Sequence, residues 1–138
     1  PLGACLSTNK ACVAMVKGSH GSTYGGNPLA MSVGLEVLKI VSKKNFLIKV
    51  DNVSRYFWKK LKELEKKYDI IEEVRGAGLL LGIKTRKSNI EFSENLKKQK
   101  LLNVTAADNI VRFAPPLIVS YKEIDKSVSI IKSVLKSM

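Results

Sequence analysis

Twelve residues near the start of the chain, Lys17-Gly18-Ser19-His20-Gly21-Ser22-Thr23-Tyr24-Gly25-Gly26-Asn27-Pro28, hold four of its nine glycines. Glycine adopts backbone conformations closed to other residues and lets a ligand approach the main chain. Gly21-Ser22-Thr23 therefore offers backbone N–H groups and two hydroxyls in one turn, a donor set that can hold a phosphate. The spacing is neither that of the Gly-x-x-x-x-Gly-Lys-Ser/Thr nucleotide loop nor that of a dinucleotide fingerprint. The residues alone leave two readings open, a phosphate cradle or an ordinary loop leading into a helix. The second candidate is Arg112, alone among the apolar residues of Asn109 to Ala114 and followed by Pro115-Pro116. A buried guanidinium there needs an anion, either a carboxylate of the same chain or a ligand. Its planar fork suits a carboxylate bidentately, which a lysine cannot match.

Other groups carry less. His20 is the single histidine, so neither a metal cluster nor a histidine triad is available, and it reads as a structural residue of the loop. Glu72 and Glu73 are adjacent, which on a regular strand sends them to opposite faces and rules out a simple acid/base pair. Arg75 lies in a glycine turn and reads as structural. Cys5 and Cys12 are too few for a disulfide framework and read as reduced, packed thiols.

These groups need elements to hold them. Leu2 to Ser7 has the length of a strand, and Thr8 or Asn9 suits the N-cap of a short helix through Val16. Asn27 as N-cap and Pro28 as first helical residue predict a helix to about Lys43. Apolar residues from Phe46 to Tyr68 recur every three or four positions, one face of a long amphipathic helix. Ile70 to Val74 and Leu79 to Lys84 read as strands around Arg75-Gly76-Ala77-Gly78, whose glycines permit a hairpin or a bulged turn. Ser88 with Glu91, and Ser120 with Glu123, are capping boxes for helices to about Lys100 and Met138. Leu101 to Val104 and Asn109 to Ala114 read as short strands between them. The order is a mixed α and β layout.

With 138 residues, 45% of them hydrophobic, the chain has material for a globular core. It carries neither an apolar run of membrane-spanning length nor a signal peptide, so a cytoplasmic protein without a membrane partner is expected. The net charge of +12 raises nucleic acid as a partner. Its distribution argues against one, because the lysines alternate with acids along helix faces, as in Lys59-Lys60-Leu61-Lys62-Glu63-Leu64-Glu65-Lys66-Lys67. A basic module for RNA or an acidic protein is the competing class of function. The chain opens on Pro1, directly into an apolar run, and reads as a fragment from within a fold.

Three ordered segments carry a resemblance: His20 to Ala30, Glu73 to Gly82 and Val111 to Ile118. They are similar to stretches of the ornithine/acetylornithine-type class III aminotransferases, enzymes that use pyridoxal 5'-phosphate. The resemblance implies an α/β fold, the carboxy-terminal part of a fold type I transferase: residues 1–45 as the tail of the cofactor-binding large domain with an interdomain helix, residues 46–138 as a small α+β domain of antiparallel sheet and helices. It implies that Thr23, helped by Ser22, binds the phosphate of the cofactor held by the other subunit of a homodimer. It implies that Arg112 pairs with the substrate α-carboxylate. The family's Schiff-base lysine is expected a few residues before Pro1, and neither Lys10 nor Lys17 stands in its context, so no catalytic residue is assigned. Leu101 to Asn109 resembles the acetylornithine enzymes most, which implies transamination of N-acetylornithine with 2-oxoglutarate in arginine biosynthesis. Ornithine aminotransferase is the near alternative.

Overall fold

The computed structural model describes residues 2–138, so Pro1 lies outside it; the chain folds as two compact units, the first ending at Phe46 and the second running from Leu47 to Met138. In the first, α1 is a single turn, Asn9–Cys12, capped by the Thr8 hydroxyl, which accepts from the Ala11 N–H at 3.3 Å. The helix predicted through Val16 therefore stops early, and turns follow it. α2, Pro28–Val41, starts as its sequence dictates: Asn27 Oδ1 accepts from the Ala30 N–H at 2.9 Å and Pro28 opens the helix.

Leu2 to Ser7 is not a strand. A strand needs a neighbour to pair with its N–H and C=O groups, and among the described residues none pairs with this run. Its start instead lies against α2 at Gly34, where a Cβ would strike the Leu2 side chain. Cys5 and Cys12 are unpaired and exposed, not packed, since neither short element of this region buries a face.

The second unit is a four-stranded antiparallel sheet in the order β1-β2-β4-β3, with β1 Ile71–Ala77, β2 Leu80–Thr85, β3 Val104–Ala106 and β4 Ile110–Phe113. Val74, Leu81, Ile83, Val111 and Phe113 turn inward from the sheet. They share one core with Phe57, Leu61 and Leu64 of α3 (Lys44–Lys67), Phe92 and Leu96 of α4 (Asn89–Lys98), and Ile124, Ile131 and Leu135 of α5 (Tyr121–Ser137). Burying large aliphatic and aromatic side chains such as these contributes on the order of 1.5–3 kcal/mol each and is what holds the layers together. Leu101 and Leu102 precede β3 and are not part of it.

A bulge between Ile71 and Glu73 alters the expectation for the paired acids. Ile71 and Val74 both face the core, so Glu72 and Glu73 are both turned out, each toward a different cation. The β1–β2 turn depends on Gly76, whose φ of 142° is a glycine conformation, and a Cβ there would run into the Leu80 carbonyl. The β3–β4 turn places Asp108 and Asn109 in left-handed conformations, φ 61° and 56°, which these residue types tolerate. Asn109 ties the turn to its surroundings, donating to the carbonyls of Thr85 and Lys87 while its Oδ1 accepts from the Asn89 N–H. Asp108 ties it on the outward face to Arg75 at 2.6 Å and Lys84 at 3.2 Å. α5 begins with both halves of its capping box, the Ser120 hydroxyl accepting from the Glu123 N–H and the Glu123 carboxylate from the Ser120 N–H.

Two outcomes follow. Gly76→Ala is expected to destabilise the chain by about 2 kcal/mol or more, because it combines a clash with backbone and a strained φ; a urea midpoint within error of the wild type would contradict this. Arg75 and then Lys84 hold the Asp108 carboxyl below its ordinary value, and Ser120 does the same for Glu123. A depressed carboxyl stabilises the fold above its unfolded pKa, about 4, and the contribution is lost as the pH falls through the lower folded value. Unfolding free energy should therefore be flat near neutrality and fall in acid, with a shallower fall in Asp108→Asn, as followed by urea titrations across that range.

Candidate functional site

Ser22 and Thr23 stand in the loop that leads into α2. The Ser22 hydroxyl accepts from the Gly25 N–H at 3.0 Å and closes a tight turn, and a Cβ on Gly25 would press on the same Ser22 side chain at 3.0 Å. Asn27 donates to the Tyr24 carbonyl at 2.6 Å, so the loop is braced at both ends of its last turn. Gly18 and Gly26 take left-handed conformations, φ 88° and 75°, that the chain needs to reverse here. Ser22 thus serves the loop's own shape. Thr23, inside the Ser22–Gly25 turn, is exposed, and its hydroxyl has no hydrogen-bond partner among the described residues. Neutral O–H and N–H donors in a braced, glycine-flanked turn fit a phosphate, which is held by oriented dipoles as well as by charge. His20 is exposed on the same loop.

Arg112 belongs to the second unit, at the middle of β4. Val111 and Phe113 on either side face the core, so the two-residue alternation turns Arg112 outward, where it is exposed. It is therefore not the buried guanidinium that the apolar sequence around it suggests: a strand one residue wide in its polarity buries the neighbours and solvates the middle. The internal salt bridge that the residues left open is not formed either, for among the described residues no carboxylate lies within ion-pair distance of Arg112.

One row of the outward face runs across all four strands, Arg75 on β1, Gly82 on β2, Arg112 on β4 and Val104 on β3. Gly82 leaves a gap between the two arginines that Ile110 partly fills; a Cβ on Gly82 would meet Ile110 Cγ2 at 2.7 Å. The two arginines differ in their surroundings. Arg75 gives Nη2 to Asp108 Oδ2 at 2.6 Å and has Glu73 at 3.8 Å, whereas Arg112 has no carboxylate at ion-pair distance among the described residues. Lys84 binds Glu72 at 3.0 Å as well as Asp108 at 3.2 Å, and these carboxylates raise its pKa, Glu72 first. Arg75 and Gly76 were legible only as a turn, and Asp108 only as part of a similar stretch. The signal for the network was Ala107-Asp108-Asn109 between two apolar runs, a turn sequence that swings an acid over the sheet. No group of histidine, cysteine and acidic side chains able to hold a metal ion occurs among the described residues, and no helix is long and apolar enough to cross a membrane.

Similar proteins match the chain over its whole length. The chain is 45% identical over 139 residues to acetylornithine aminotransferase of Agrobacterium fabrum, covering all of this chain and 35% of that enzyme, and 44% identical to the enzyme of the same name from Clostridium acetobutylicum, covering 99% and 35%. It spans about a third of the length of these curated relatives. Among solved structures, acetylornithine aminotransferase from Elizabethkingia anophelis superposes with a TM-score of 0.76 at 32% identity, over 88% of this chain and 33% of that one. An ornithine aminotransferase from Toxoplasma gondii, described with partial occupancy of PLP at its active site, superposes at 0.74 and 31%, over 88% and 30%. The family model for class III aminotransferases matches residues 1–135. Nearly the whole chain is thus accounted for, and it belongs to the class III aminotransferase family.

Proposed function

We propose that this chain is part of a pyridoxal-phosphate-dependent aminotransferase that moves the amino group of N-acetylornithine to 2-oxoglutarate, a step of arginine biosynthesis. The observation that carries the reading is the outward guanidinium of Arg112, which has no carboxylate within ion-pair distance among the described residues and lies in the stretch that the family model covers. Residues 1–45 are then the tail of the cofactor-binding large domain with its interdomain helix, and residues 46–138 the small domain.

The bound cofactor supplies an electron sink for the substrate carbon that exchanges its amino group. This chain supplies binding and orientation. The Thr23 hydroxyl and backbone N–H groups of its turn hold the phosphate, with Ser22 keeping the turn closed, and in a homodimer this loop serves the other subunit's cofactor. Arg112 takes the α-carboxylate of the amino donor, and of the 2-oxo acid in the return half-reaction, through two parallel hydrogen bonds that fix the substrate's direction. No residue of this chain is given the proton-transfer role, because neither Lys10 nor Lys17 stands in the context of the family's Schiff-base lysine and His20 is read as a structural residue of its loop.

The choice of donor is supported by the relatives at 44% and 45% identity, which are named acetylornithine aminotransferases. Ornithine aminotransferase is the second reading, favoured by the Plasmodium falciparum ornithine δ-aminotransferase, at 33% identity and a TM-score of 0.77. Steady-state kinetics of the active enzyme with each donor separates them: N-acetylornithine should give the higher kcat/KM, and a clear preference for ornithine would sink the assignment.

Thr23→Ala removes one hydrogen bond to a charged phosphate, a loss of about 1.5–3 kcal/mol, and should weaken cofactor binding by roughly tenfold or more. Arg112→Lys should raise KM for the amino donor by a similar factor, since a lysine keeps the charge and loses the fork, while cofactor retention changes little. Cofactor titration followed by absorbance, beside initial rates, reads both; exchanged phenotypes would show the two roles to be misassigned.

A further inference from the structure

We infer that Val104 is a positioning residue for Arg112: from the neighbouring strand it braces the arginine's arm and holds the guanidinium ready for a carboxylate. The inference rests on the reading of Arg112 as the carboxylate site. An arginine reaches its ligand on a long methylene stem, and binding removes much of that stem's rotamer freedom. A fork that is already held when the ligand arrives has less freedom to lose, and so binds more tightly. The side chains that stand beside the stem are therefore part of the site.

The register of the sheet decides which side chains those are. Arg112 lies directly opposite Gly82 on β2 and Val104 on β3. Residues paired in this way in an antiparallel sheet turn to the same face, with Cβ atoms about 5 Å apart. On the β2 side there is no Cβ, and Ile110 takes the space: its Cγ2 lies 2.7 Å from where a Gly82 Cβ would be. Ile110 precedes Arg112 by two residues on β4, hence shares its face, and it is buried without belonging to the core of the unit. On the β3 side stands Val104 itself. Two β-branched aliphatic side chains thus flank the base of the Arg112 arm, one on each side. Branching at Cβ restricts χ1, so the slot between them is stiff, and its walls match the apolar stem while the charged end reaches past them. The two walls differ in their other duties. Ile110 is buried, so a smaller residue there would open a hole in the sheet's packing. Val104 is 53% exposed on a three-residue edge strand and lies outside the core, so its effect on binding is separable from its effect on the fold.

The test is a mutant cycle in the active enzyme. Val104→Ala should raise KM for both the amino donor and the 2-oxo acid about three- to fivefold, the scale of one lost apolar contact, with kcat within about twofold. Val104→Ile keeps the branch at Cβ and should stay within about twofold of the wild type. Calorimetric binding of glutarate, an unreactive dicarboxylate, should weaken in Val104→Ala in parallel with KM, while cofactor affinity holds. In an Arg112→Lys background Val104→Ala should add nothing, because the fork that it braces is gone. An unchanged KM in Val104→Ala, an equal rise in Val104→Ile, or a loss of cofactor affinity overturns the inference. The same rise of KM in both backgrounds also overturns it and marks Val104 as merely structural. If Arg112→Lys by itself leaves KM unchanged, the carboxylate-site reading fails and the brace has nothing to hold, a result distinct from the failure of the Val104 role alone.

Discussion

Val111 and Phe113 are locked into the core of the second unit, and β4 lies between β2 and β3 with hydrogen bonds on both sides. A one-residue slip of β4 would expose both side chains and bury Arg112, exchanging apolar burial for an unpaired charge in the core. The register is therefore fixed by the hydrophobic effect, and the direction of the guanidinium follows from it. The same register sets Gly82 opposite Arg112 and Arg75 opposite Gly82, and so decides which cations share a face. The function read from this unit depends on that alternation more than on any single polar contact.

Much of this was legible in the residues. The helices declared themselves by period and by caps: Asn27-Pro28 opens α2, and Ser120 with Glu123 opens α5 with both reciprocal hydrogen bonds. The strands β1, β2 and β4 were found as apolar runs because their partners lie within the same unit. Where the reading failed, the missing information was non-local. Leu2 to Ser7 looks like a strand but has no pairing neighbour among the described residues, and propensity cannot supply one. The bulge that turns Glu72 and Glu73 to the same side is a property of the β1–β2 pairing, invisible to a strict count of alternate residues.

The site divides in the same way. Thr23 could be picked out because glycines, hydroxyls and a helix start lie within one short stretch, so the chemistry is local. Arg112 was picked out for a physical reason that the structure replaces: it is exposed by strand alternation, not buried and in need of an ion. Beside it on the outward face stands an ion-pair network of Arg75, Lys84 and Asp108, which come from β1, β2 and the β3–β4 turn. A charge network assembled from three places in the chain leaves only a faint sequence trace, here an acid in a turn and a glycine in a strand.

The most direct test of the central claim is a crystal structure of the active enzyme with a bound 2-oxo dicarboxylate. The account predicts one carboxylate of the ligand paired with both arms of the Arg112 guanidinium, with Asp108 still held by Arg75 and Lys84. A ligand seated away from Arg112, or an Arg112 paired with a carboxylate of its own chain while the ligand is bound, would contradict it.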